Sequence, residues 1–287
     1  MPTTLKQCSI EVLRNLLQEG NRTLALDDEA RGILRRWMLI SRRGGRAEAP
    51  PAPAPLPPAP AVSAPVAPQQ PPAPAAEVPN TVEGKLDYLR ARAEHWRPAR
   101  ALGTLRSTMV FATGNPHARL MLVGEAPGYE EEQQREPFVG RAGRKLNEIL
   151  RAMGLRREEV YISNICKFRP SMGEQQGTAN RAPTEAEISA CLPLVMAEIR
   201  AIRPACIVCL GGTAAKGLLG SGASVGSLRG REFFCQGFPV RVTYHPSYLL
   251  RNEAISERRR VWEDMLGVMR LLGMPVSAKQ QNYFLPS

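Results

Sequence analysis

Glu125, Phe138, Asn164 and His245 offer a carboxylate, an aromatic face, a carboxamide and an imidazole. Directed at one molecule, that set suits the removal of a base turned out of a polynucleotide stack. An aromatic ring stacks on the extruded base. A carboxamide presents both a donor and an acceptor to the base edge. An imidazole stabilises negative charge on a departing base, and a carboxylate orients water or steadies a cationic sugar. Each residue also has a plain structural reading: Glu125 as a solvated acid, Phe138 as core, Asn164 as a loop cap, His245 as an isolated surface residue. Only their convergence on one rim makes them a site.

The elements that must position them follow from periodicity. Four short apolar runs read as strands: 120–123, 160–164, 205–210 and 239–244. Helical patterns lie at 143–153, 184–201, 212–219 and 256–272, and Thr184 with Glu187 has the spacing of a capping box. Strands alternating with helices predict an α/β fold, a parallel sheet with helices on both faces. Ligands of such sheets bind beyond the carboxyl ends of the strands. Gly124 to Gly128 follows the first strand, Asn164 ends the second, Gly211-Gly212-Thr213 follows the third and His245 to Arg251 the fourth. The Gly211–Thr213 amides, at a helix start, suit a phosphate.

The net charge of +11 over 287 residues suits a polyanion, since neutralising phosphates releases counterions. No apolar run reaches the length of a membrane span, and the first residues carry no signal-peptide core. A polyanion is therefore the expected partner, nucleic acid with anionic lipid as its rival, no membrane span is expected, and the expected address is intracellular. Half of the 26 prolines fall between Pro50 and Pro79. That tract predicts a disordered linker over 47–80. It separates a small helical head, 1–46, from a body at 81–275 and a tail at 276–287. The head is a candidate docking element for a protein partner. Of six cysteines, Cys206 and Cys209 lie on one apolar strand, where residues three apart face opposite sides. They are expected to be buried core thiols.

The motifs resemble the uracil-DNA glycosylase superfamily, and within it family 4, the iron–sulfur branch. The matching text runs in order over about 190 residues: Val123 to Gly128, Pro137 to Gly140 with Ala142-Gly143, Tyr161 to Asn164 with Lys167 and Arg169-Pro170, Asn180-Arg181, Pro183-Thr184, Cys191 to Pro193, Leu210-Gly211, and Tyr244 to Arg251. The resemblance implies an αβα sandwich around a four-stranded parallel sheet. It implies a monofunctional glycosylase that hydrolyses the N-glycosidic bond of deoxyuridine in single- or double-stranded DNA, acting in base-excision repair in the cytoplasm of a bacterial-type cell, with the nucleoid. It assigns catalysis to Glu125 and His245 and base binding to Gly124, Gly128, Phe138 and Asn164. DNA contacts fall to Gly211, Thr213, Ser247, Leu249, Leu250 and Arg251. Gly128 stands where stricter relatives carry Tyr, which leaves open a glycosylase for hypoxanthine or xanthine. Loss of cluster ligands leaves open a non-catalytic DNA-binding scaffold.

The chain departs from the family at the cluster. No Cys lies between Cys8 and Cys166, the third ligand position is Phe168, and only Cys191 is retained. Fewer than four thiolates do not make a [4Fe-4S] site, so no cofactor is expected, with Trp96, Arg97, Arg100 and Phe168 filling the space. Arg135 replaces a usual Gly, and Ser171 to Ala179 is longer than the family's turn.

Overall fold

A computed structural model describes residues 79–285. The head and most of the Pro/Ala-rich tract lie outside the described residues.

The strands are β1 (Leu105–Met109), β2 (Ala112–Gly114), β3 (Leu120–Gly124), β4 (Tyr161–Asn164), β5 (Phe168–Pro170), β6 (Cys206–Leu210), β7 (Phe233–Cys235) and β8 (Phe238–Thr243). The helices are α1 (Val82–Glu94), α2 (Arg97–Arg100), α3 (Tyr129–Gln134), α4 (Arg141–Met153), α5 (Glu185–Ile202), α6 (Gly212–Leu219), α7 (Val225–Leu228), α8 (Pro246–Arg251), α9 (Ile255–Leu271) and α10 (Ala278–Gln281). All four expected strands and all four expected helices are present.

The main sheet has the order β2-β4-β3-β6-β8-β7. Its four central strands are parallel, as expected, but β2 and β7 add antiparallel edges, so the sheet is six-stranded and mixed. The edge strands are only three residues long, too short for alternation to reveal. A second pair, β1 with β5, lies apart from it.

Because side chains alternate along a strand, one strand feeds two cores. Met121 and Val123 face the layer of α1, α5 and α6; Leu120 and Leu122 face α4 and α9. Cys209 lies in the first core and Cys206 in the second, as their spacing requires. The result is an αβα sandwich. α5 starts at Thr184, whose hydroxyl accepts from Glu187 N–H while Glu187 takes the Thr184 N–H.

The sheet's winding reverses between β3 and β6: β3 leads outward to β4, and β6 and β8 follow on the other side. That reversal opens a crevice at the carboxyl ends. The body also extends past residue 275. Trp262 Nε1 donates to Gln280 O at 2.5 Å and Gln280 Nε2 to Ala152 O at 2.9 Å, so 276–285 packs on α9 and α4.

Candidate active site

The crevice holds a cavity of about 510 Å³ at the carboxyl ends of the parallel strands. Glu125, Gly128, Phe138, Asn164, His245, Ser247, Leu250 and Arg251 line it, so the four residues of different chemistry share one pocket.

Behind two of its lining residues lies Gly124, the last residue of β3, which does not itself line the cavity. A Cβ there would lie 2.3 Å from Asn164 Oδ1 and 2.4 Å from Phe138 Cζ. The ring and the carboxamide therefore rest on a bare Cα, and only glycine permits both. Asn164 ends β4 and is 2% exposed, yet its Oδ1 has no hydrogen-bond partner. A buried acceptor without a partner costs about 1–3 kcal/mol, a penalty that a ligand donor relieves.

Phe138 is 5% exposed and has φ of 57°, the left-handed region that side chains disfavour. The turn is held against α4: a Cβ at Gly143 would lie 1.7 Å from Phe138 O. The Phe138 ring stands 5.6 Å, centroid to centroid, from the His245 imidazole at a 31° tilt.

His245 caps α8. Its Nδ1 accepts from the Ser247 N–H at 3.2 Å, and the Ser247 hydroxyl lies 2.8 Å away. An amide can only donate, so Nδ1 is bare and the neutral ring carries its proton on Nε2. Burial, reinforced by the positive charge of Arg251, pulls the His245 pKa down to about 4. The imidazole is thus a neutral donor at physiological pH. Gly211, at φ 98°, makes room for it: a Cβ there would lie 3.1 Å from His245 Cβ.

Glu125 follows β3, and its Oε2 accepts from the Thr213 hydroxyl at 2.5 Å, a bond that crosses the winding reversal. The same segment is fastened to β4 by Cys166 N–H, which donates to Glu125 O at 3.0 Å.

Several sequence expectations change here. Thr213 spends its hydroxyl on Glu125, and Ser247 turns its own to His245; the phosphate reading at Gly211–Thr213 rests on backbone amides and is untouched by the hydroxyl. Leu249 is 7% exposed and packs toward Val261 and Trp262, leaving Leu250 and Arg251 on the cavity side of α8. Gly128 does not open into empty space, since a Cβ there would meet Glu131 Oε2 at 2.7 Å and Asn180 Nδ2 at 3.1 Å. Glu131 belongs to an acidic run that partly matches the family's Glu-Asp pair, but the sequence assigns it no role. Its carboxylate accepts from Gly128 N–H at 3.1 Å and Gly140 N–H at 2.9 Å, joining the two loops of the pocket. It lay in the run Glu130-Glu131-Glu132, which gave no hint that each acid has a separate task. Arg135 has φ of 54° at the end of α3, which explains why glycine suits the position.

Behind the site lie two buried ion pairs. Lys167 Nζ meets Glu198 Oε1 at 2.5 Å, both side chains fully buried, and Ser163 donates to Glu198 at 2.7 Å. Arg169 Nη1 meets Glu132 Oε2 at 3.0 Å and also holds Asn180 Oδ1 and the Gly177 and Ala179 carbonyls. These bonds fix the longer segment 171–179, with Gln176 donating to Pro170 O.

Cys191, the one cluster-ligand position retained in the resemblance, faces Cys166, and both thiols are buried. Their mutual hydrogen bond, with burial, pushes the Cys166 thiol well above the usual range. Phe168 is fully buried beneath the Arg100 guanidinium, 4.4 Å from its ring centroid, and Trp96 Nε1 donates to Ala190 O at 2.6 Å. Among the described residues, no group of three or more His, Cys, Asp or Glu is placed to hold a metal. The donor set does not fit a four-thiolate cluster.

The uracil DNA glycosylase superfamily model matches residues 111–266, a span holding every strand of the main sheet and the pocket. The Type-4 uracil-DNA glycosylase of Thermotoga maritima is 44% identical over 162 residues, which are 56% of this chain and 81% of that protein. Those of Archaeoglobus fulgidus and Saccharolobus solfataricus are each 37% identical, over 53% and 57% of this chain and 77% and 75% of theirs. By these matches and this architecture, the chain belongs to the uracil-DNA glycosylase superfamily, in its type-4 branch.

Proposed function

We propose that the protein is a monofunctional uracil-DNA glycosylase that hydrolyses the N-glycosidic bond of deoxyuridine in DNA and works without an iron–sulfur cluster. The observation that carries this reading is the buried, unpartnered Asn164 Oδ1 beside the Phe138 ring. Uracil carries a donor at N3, which answers that acceptor, and a flat face, which answers the ring.

The roles follow from the atoms. Phe138 stacks on the extruded base and Asn164 reads its edge. His245 Nε2–H donates to the O2 oxygen, where charge gathers as the bond to the sugar breaks. Being neutral already, the imidazole stabilises the leaving anion without giving up a proton. Glu125, oriented by Thr213, holds attacking water or steadies the cationic sugar. Leu250 and Arg251 at the rim face the DNA. Gly124 and Gly128 are the close-approach positions of the base pocket, and Gly211 seats His245. With Glu131 and Asn180 crowding Gly128, the pocket favours a pyrimidine over hypoxanthine or xanthine.

No step is assigned to a metal. The Arg100–Phe168 stack and the Cys166–Cys191 pair support the reading that side chains have replaced the cluster. Residues 1–46 serve docking to a protein partner in this reading, and the body carries the chemistry.

The test is release of free uracil from single- and double-stranded deoxyuridine oligonucleotides in EDTA. Wild type should release it, and Glu125→Ala or His245→Ala should lose most activity. DNA binding with intact uracil would instead favour a scaffold, and release of hypoxanthine or xanthine alone a different lesion.

A further inference from the structure

Arg157 lies in the short 3-10 turn Arg157–Glu159, just before β4, and lines no part of the pocket. Its guanidinium is nonetheless wrapped by the turn that carries Phe138. Nη1 donates to Phe138 O at 3.1 Å and lies 3.4 Å from Asn147 Oδ1. Nη2 donates to Pro137 O and, at 3.0 Å, to Glu136 Oε1, which Nε also approaches at 3.2 Å. The Arg157 side chain is 16% exposed, and Pro137 and Phe138, whose carbonyls it holds, are buried, while the Glu136 carboxylate is 42% exposed.

One cation thus holds three consecutive residues, Glu136, Pro137 and Phe138. The last of them has a backbone conformation that costs about 1–2 kcal/mol for a residue with a Cβ. Such a conformation persists only where the surroundings fix it. Gly143 presses on the Phe138 carbonyl from α4, and Arg157 bonds the same carbonyl. Seven residues after Arg157, the same rigid segment ends in Asn164. The anchor of the ring and the strand that bears the carboxamide are therefore one piece of backbone.

We propose that Arg157 is a positioning residue of the base pocket: by holding the Pro137 and Phe138 carbonyls, it sets the Phe138 ring in register with the Asn164 carboxamide. The inference rests on the reading of Phe138 as the stacking face. Arg157 does not touch the base, so its effect must pass through the ring.

That requirement is the test. Single-turnover uracil release from a deoxyuridine oligonucleotide is measured for wild type, Arg157→Ala, Phe138→Ala and the double variant, with affinity for the same DNA measured alongside. A misplacement of about 1 Å costs about a hundredfold in rate. Arg157→Ala should fall by about that factor, with affinity within about twofold. The double variant should be no slower than Phe138→Ala, because a residue acting through the ring has nothing left to act on. Losses that multiply in the double variant, or an Arg157→Ala rate equal to wild type, overturn the inference and leave the glycosylase reading standing. A Phe138→Ala rate equal to wild type removes the stacking reading and the inference with it. Should Arg157→Ala fail to fold, the cycle is run with Arg157→Lys. That variant keeps the charge and the Glu136 contact but cannot fork onto two carbonyls, so the same non-additivity is expected.

Discussion

His245 links the catalytic pocket to stability in acid, and the size of the link follows from its burial. The ring titrates near 6.5 in an unfolded chain and at about 4 in the fold. Between those values the unfolded chain binds a proton that the folded one refuses, so stability falls as pH drops through that window. The folded pKa is the depressed one, hence the neutral ring is the stabilised form and the contribution is complete above about pH 7. Going from about pH 7 to about pH 4.5, wild type should lose about 2–3 kcal/mol of unfolding free energy through this one group. Urea unfolding at the two pH values, compared between wild type and His245→Gln, isolates the term. The variant should lose that much less on acidification. Equal losses would mean that the imidazole already carries a proton in the fold, and the neutral Nε2–H donor assigned to it would be wrong. The uracil-release profile offers a second view, with its acid limb governed by His245 lying near pH 4.

Three further outcomes are expected. Gly124→Ala should fold but lose activity by about a hundredfold, because its Cβ would drive apart the ring and carboxamide that meet at that Cα; single-turnover release measures it, and a wild-type rate contradicts the close approach described. Lys167→Met should destabilise by about 3–5 kcal/mol, since Glu198 is left charged and alone in the core; thermal unfolding of this variant and of Lys167→Met with Glu198→Leu should show the double recovering most of the loss. Arg135→Gly should gain up to about 1 kcal/mol by relieving the left-handed backbone, read from urea midpoints; a lowered midpoint contradicts it.

The sheet and its helices were legible because β3 and β6 are continuous apolar runs buried throughout, β8 alternates apolar and polar residues, and the long helices carry amphipathic periods. The edge strands were not, because three residues hold too little alternation. Asn164 was legible because it ends a strand, and Glu125 and His245 because they follow theirs closely, whereas Phe138 lies in the loop between α3 and α4 and was legible only through its motif. What escaped was second-rank chemistry. The Gly211–Thr213 amides were legible at a helix start, but nothing in the spacing shows that the Thr213 hydroxyl reaches sideways to Glu125. Ser247 and Leu249 sit in a helix of one and a half turns, and only the direction of that turn sends Leu249 inward and Leu250 to the cavity. Arg157 and Glu131 act on backbone amides and carbonyls, and such bonds leave no pattern in side-chain spacing. Arg135 and Phe138 hold positive φ, which a non-glycine residue conceals.

The two thiols of β6 have a practical consequence. Cys206 looks into one layer and Cys209 into the other, and burial raises both, Cys206 to about 12. Neither reacts while its own layer stays closed. A thiol reagent applied to the native protein therefore reports the opening of each face separately. If the α4–α9 side breathes before the α1–α5–α6 side, Cys206 is labelled first, and the order of labelling gives the sequence in which the sandwich comes apart.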